Sequence, residues 1–119
     1  MKRLLLLAVV IGAAVLAPAA AAKVSYCSPT GDYCTSVAKV RGVRFFRVTS
    51  FAFRGQVKIC VRDPKATRAC HSFRLTDSGP AYGLSIRWRR YYPDRGAGTY
   101  RVSFFLGATR LGPVLAFVR

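Results

Sequence analysis

Residues 1–22 set the conditions under which the rest of the chain must fold. Met1-Lys2-Arg3 is positively charged, Leu4 to Leu16 is an uncharged apolar run, and Pro18 breaks it. Ala20-Ala21-Ala22 then supplies a small-residue cleavage site ahead of Lys23. This is the layout of a helical secretory signal peptide. Its apolar core is shorter than the roughly 20 residues a membrane-spanning helix needs. Cys27 lies too far from Lys23 to mark a lipid-anchored start. The sequence therefore predicts a signal peptide over 1–22 and one domain over 23–119, secreted into an oxidising compartment. No sortase-type motif or C-terminal membrane anchor is visible, so any retention at the cell surface is expected to be non-covalent.

A domain of about 100 residues buries only roughly 60–70% of its unfolded surface, so covalent staples matter to it. Cys27, Cys34, Cys60 and Cys70 are the four cysteines, and in an exported chain an even count reads as two disulfides with three possible connectivities. Neither a C-x-x-C pair nor a second histidine is present to complete a zinc set. No metal or cofactor is expected.

The chain after the signal is written in short alternating runs rich in β-branched and aromatic residues, punctuated by Gly, Pro, Asp and Ser. Val37 to Thr49 reads as one long strand or two joined at a bulge, because Phe45 and Phe46 cannot both face one core. Gln56 to Arg62 places Val57, Ile59 and Val61 on one face. Asp63-Pro64-Lys65-Ala66 is a turn, after which His71, Phe73 and Leu75 share a face. Leu84, Ile86 and Trp88 form the next apolar set, followed by Tyr100, Val102, Phe104 and Leu106, and a last strand over Leu111 to Val118. No helix of useful length is expected beyond the signal. About seven strands, with turn signals every 8–12 residues, predict an all-β fold: a single antiparallel β-sandwich.

Parity also discriminates among the disulfides. Cys60 shares a face with Lys58 and Arg62, and Cys70 with Ser72 and Arg74. Opposing Cys60 with Cys70 across a hairpin brings Ile59 opposite His71 and Val57 opposite Phe73, so the apolar faces coincide. The bridge Cys60–Cys70 is thus geometrically natural, and Cys27–Cys34 follows by elimination.

Charge is the other strong signal. The chain has 20 Lys and Arg against 4 Asp and Glu; without Lys2 and Arg3 this leaves eighteen cations against four acids, a net charge of +14. Glutamate is absent, and the acids are Asp32, Asp63, Asp77 and Asp94. Such a domain should concentrate on anionic polymers or membranes with salt-sensitive affinity. The densest candidate is Arg87-Trp88-Arg89-Arg90-Tyr91-Tyr92. If it continues as a strand, Arg87, Arg89 and Tyr91 make an outward basic and aromatic stripe, with Arg101 in support. Guanidinium groups grip phosphate or carboxylate bidentately, and tyrosine stacks on a sugar or base. Arg41, Arg44 and Arg47 form a looser second cluster. Lys58, Arg62 and Arg74 should make the sheet exterior around Cys60–Cys70 positive, and Phe105, with Phe46 if the parity slips there, is a candidate exposed anchor.

Catalysis is not expected. His71 falls on the apolar face beside Phe73 and reads as a packed, hydrogen-bonded structural residue. Neither a nucleophile elbow nor a pair of acids suited to glycoside hydrolysis is present.

Asp94-Arg95-Gly96-Ala97-Gly98-Thr99-Tyr100, followed by Arg101-Val102, resembles the E–F corner of an immunoglobulin-like (Ig-like) sandwich, where a tyrosine anchors the corner by hydrogen-bonding to upstream backbone. Trp88 resembles the core tryptophan of such domains. Val102 stands where antibody-type domains carry their second inter-sheet cysteine, so the likeness is to looser, fibronectin type III-like sandwiches. The chain is similar to small exported Ig-like proteins of high-GC Gram-positive bacteria, and more distantly in architecture to the neocarzinostatin family of secreted carriers.

The resulting expectation is a non-catalytic binding or structural module of the cell envelope. Its expected partners are wall teichoic acid-like polymers, anionic glycans or lipid headgroups, with no dedicated nucleic-acid role. The alternatives are a membrane-active antimicrobial protein, which needs an exposed apolar face, and a small-ligand carrier, which needs a cleft beside Trp88.

Overall fold

The computed structural model describes residues 23–119, so the expected signal helix lies outside the described residues. Eleven strands and one helical turn follow in the order β1 (Ser25–Cys27), β2 (Tyr33–Ser36), β3 (Lys39–Val40), β4 (Val43–Ser50), β5 (Gln56–Arg62), β6 (Arg68–Arg74), β7 (Thr76–Asp77), β8 (Tyr82–Arg87), α1 (Trp88–Tyr91), β9 (Thr99–Leu106), β10 (Thr109–Arg110) and β11 (Leu115–Val118). They form two antiparallel sheets packed as a sandwich. One sheet runs β1-β2-β4-β8-β7, with β3 folded back on β4; the other runs β10-β9-β5-β6, with β11 continuing the β10 edge of β9. The count exceeds the seven strands expected because β1 and β2 pair ahead of Val37, where no strand is read, and because β3, β7 and β10 are two-residue strands beside the longer ones.

Two breaks in the strands correct the sequence reading. The break in the first long strand falls at Arg41-Gly42, both at positive φ, which turn β3 onto β4 as a tight two-residue hairpin pairing Val40 with Val43. β4 is then regular, with Phe46, Val48 and Ser50 buried and Phe45 turned outward, so Phe46 is a core residue and not an exposed anchor. The last strand is likewise interrupted. Arg110 pairs with Phe105 but Leu115 with Val102, a two-residue slip taken up at Gly112-Pro113.

The core lies between the sheets. Val57, Ile59 and Val61 of β5 meet Phe46 and Val48 of β4, and Tyr100, Val102 and Phe104 complete it from β9. At one end Tyr100 stacks on Phe117 with ring centroids 5.1 Å apart, and Trp88 meets both rings edge-on at 4.9 and 5.0 Å. Offset and edge-to-face ring pairs add about 0.5–1.5 kcal/mol each beyond area burial.

Both expected disulfides are present, Cys27–Cys34 and Cys60–Cys70. The β5–β6 register pairs Cys60 with Cys70, Ile59 with His71 and Val57 with Phe73, as parity requires. The turn that sets it is held by Asp63, whose carboxylate accepts the amides of Lys65 and Thr67 at 2.8 and 2.9 Å and pairs with Arg95 at 3.0 Å. At the corner before β9, the Tyr100 hydroxyl donates to the Gly96 carbonyl at 2.7 Å and accepts the Arg95 amide at 3.0 Å. The corner and the turn interlock. Gly98 sits at φ +136 with its missing Cβ position 2.7 Å from Pro64, so a side chain there meets both strain and a clash.

Candidate anion-binding surfaces

The strand pairing arranges the basic side chains of the β5 sheet in rows. Arg68, Arg62 and Arg101 are register partners across β6, β5 and β9, on strands about 4.8 Å apart. Four residues further along, Lys58 pairs with Phe105, and Phe105 with Arg110. The Cys60–Cys70 bridge and Ser103 lie between the two rows. A shallow depression of about 590 Å³ runs here, lined by Arg62, Arg68, Arg101, Arg110 and Ser103. Phe105 anchors the second row: Lys58 Nζ lies 5.0 Å and the Arg68 guanidinium 5.9 Å from its ring centre. Arg68 also reaches the Cys60 sulfur at 3.3 Å.

None of the four acids neutralises this face. Asp63 is turned inward onto Arg95, Asp94 pairs with Arg89 and Arg119, and Asp32 and Asp77 belong to the other sheet's loops and edge. Like charges directly opposite one another on a sheet are destabilising, each pair by a few tenths of a kcal/mol up to about 1. A row of three arginines without a counter-charge works against the fold's own stability.

A second basic region opens at the end of the sandwich, where β3, the start of β4, α1 and the end of β11 meet. It is a groove of about 490 Å³. Lys39, Arg44, Arg87, Arg89, Arg90 and Arg119 surround it, and Val43 and Val118, with the nearly buried Trp88 and Phe117, form its apolar part. Arg44 points inward with the same parity as Phe46. It is half-buried, lies 4.7 Å over the Phe117 ring, and donates to the Val37 carbonyl at 2.8 Å. Loss of hydration pulls its pKa below the usual guanidinium value. Asp94 at the rim holds Arg89 at 3.0 Å and Arg119 at 2.6 Å. Partial burial raises the pKa of that carboxyl, but the Gly96 amide and the guanidiniums of Arg119 and Arg89 together outweigh it and hold the group below its ordinary value.

The structure distributes the sequence candidates between these regions. Arg87 and Arg89 line the groove, whereas Arg101 lies on the β5-sheet face. Tyr91 joins neither: its exposed ring packs edge-on against Phe73 at 4.9 Å, with the Arg90 guanidinium 5.6 Å away. The stripe fails because β8 ends at Arg87 and the chain makes one helical turn. Tyr92 then returns to extended backbone, as a residue before proline must. Arg41, Arg44 and Arg47 do not share a face either, since Arg41 caps the hairpin while Arg47 stands outward over Phe45.

His71 has the inward parity expected but is exposed, because β6 is an edge strand. It meets Tyr92 edge-on at 5.0 Å and makes no side-chain hydrogen bond among the described residues. The buried Tyr92 hydroxyl instead donates to the Ile59 carbonyl at 2.6 Å, and burial drives its pKa well upward. Arg68 and Arg110 were not singled out by the sequence reading. The β5–β6 register that pairs the cysteines also sets Arg68 against Arg62, so that signal was available.

Among the described residues, no cluster of three or more His, Cys, Asp or Glu side chains is placed to hold a metal ion. Comparison with protein-family models, with curated proteins and with solved structures finds no match.

Proposed function

We propose that this protein is an exported, non-catalytic module that binds anionic cell-envelope polymers through the outer face of the β5 sheet. The observation that carries this reading is the uncompensated arginine row Arg68–Arg62–Arg101, backed by Lys58 and Arg110 around Phe105. Such a face suits an extended polyanion: the cations lie in two rows on a shallow surface, and Phe105 offers a stacking plane to a sugar or other flat group. Affinity would come largely from released counterions. Of the residues first expected to make contact, Arg101 stays in this site; Arg87, Arg89 and Tyr91 leave it.

Strand order supports an Ig-like affiliation for the scaffold. β2-β4-β8-β7 facing the β10/β11 edge, β9 and β5 corresponds to the A-B-E-D and G-F-C arrangement, with β1 and β6 as added edge strands. The Tyr100 corner fits the same scheme. Trp88 does not, since it follows β8 and not the strand that carries the core tryptophan in antibody domains.

Polyphosphate serves as a defined probe. With five cations engaged, the logarithmic salt slope is about −3.5, at roughly 0.7 per neutralised phosphate on a flexible single strand. Replacing Arg62 and Arg101 together with alanine should cut the slope to about −2 and weaken binding, with unchanged thermal stability or a slight gain. An unaltered slope in that double variant removes the face from the account.

A further inference from the structure

The groove beside Trp88 makes demands that the polymer-binding face does not explain. Its cations outnumber their partners: Asp94 serves Arg89 and Arg119, while Lys39, Arg44, Arg87 and Arg90 form no ion pair among the described residues. Arg44 is the most telling of these. A half-buried guanidinium with a single backbone acceptor retains a charge that neither water nor a carboxylate fully compensates. Beside these cations the exposed Val43 and Val118 supply apolar surface, with Trp88 and Phe117 packed beneath it.

We infer that this groove is a binding site for a small amphiphilic oxyanion, a carboxylate or phosphate head on an apolar body. The head would sit among Arg44, Arg87 and Arg90, where planar guanidiniums offer paired donors. The apolar body would lie along Val43 and Val118, over the edge of Trp88. A volume of about 490 Å³ falls within the range of small-molecule sites, about 300–1,000 Å³. The mixture of apolar wall and a few convergent charges is the composition such sites show. The site is independent of the polymer reading, since it shares no residue with the β5-sheet face.

Trp88 is the only tryptophan in the chain, so its emission reports from the groove wall without a label. Titration with dodecanoate and with dodecyl phosphate, below micelle-forming concentration, should shift that emission saturably. A response to either head supports the site, and the stronger one identifies the preferred head. Dodecanol, which lacks the charge, and inorganic phosphate, which lacks the chain, should each bind at least tenfold more weakly. Arg87→Ala with Arg90→Ala should weaken dodecanoate at least tenfold, and Val43→Asp should do the same by placing a carboxylate on the apolar wall. Both variants should keep wild-type polyphosphate binding, whereas Arg62→Ala with Arg101→Ala should keep wild-type dodecanoate binding. The inference is overturned by a silent Trp88, by equal affinity for dodecanol, or by dodecanoate affinity that survives both groove variants.

Discussion

Replacing Tyr100 with phenylalanine isolates the contribution of one hydroxyl to the corner that joins the two sheets. The ring would keep its place, stacked on Phe117 and met edge-on by Trp88. What is lost is a donor to the Gly96 carbonyl at 2.7 Å and an acceptor for the Arg95 amide at 3.0 Å. Two net hydrogen bonds at about 1 kcal/mol each set the scale at about 2 kcal/mol. Gly96 is only half-buried and Arg95 is exposed, so water recovers part of this and the expected cost is about 1.5 kcal/mol. In a domain of this size, each kcal/mol moves Tm by about 4–8 °C, which gives a drop of about 6–12 °C. Circular dichroism melts of the oxidised protein read the shift, and urea titration should show an unchanged m-value. Tyr91→Phe is the control: its hydroxyl makes no hydrogen bond among the described residues, so Tm should stay within about 2 °C. A Tyr100→Phe melt indistinguishable from wild type would refute the argument that the hydroxyl anchors the corner.

Two further outcomes follow from the same geometry. Asp94 has a folded-state pKa below its unfolded value, so its pairing with Arg89 and Arg119 stabilises fully above about pH 4 and is lost as pH falls through the folded pKa. Asp94→Asn should therefore lower Tm at pH 7 and narrow its difference from wild type as pH falls through the folded-state pKa, which melts across a pH series will show. Replacing Cys60 and Cys70 together with alanine should cost about 2.5–3 kcal/mol, the loop-closure entropy of a ring of that size, and urea titration measures it directly.

How far the sequence carried depended on how many residues expressed each feature. The β5–β6 hairpin was legible to the register because seven residues on each side obey a period of two, and a one-residue slip would have exposed Val57, Ile59 and Val61. Tyr100 was legible from the glycine-rich corner before it. The turn at Trp88–Tyr91 was not, because four residues carry no helical period and Arg87-Trp88-Arg89 continues the alternation of β8. Phe45-Phe46 looked like a slip because the hairpin at Arg41-Gly42, which restores the parity, contains an arginine at positive φ where glycine or asparagine is the usual signal. His71 shows that parity gives a face and not a depth. The groove was beyond reach for a different reason: Lys39, Arg44, Arg87 and Arg119 come from strand ends far apart in sequence, and only the sheet order brings them together.

The central claim, that the basic sheet face engages anionic polymers, is tested most directly by co-sedimenting oxidised 23–119 with cell envelopes of the producing organism across a salt series. The account predicts a steep loss, about a hundredfold in affinity between 50 and 200 mM salt for five engaged cations. It also predicts a much shallower loss for the Arg62→Ala, Arg101→Ala protein. Binding that ignores salt, or no binding at low salt, would contradict it.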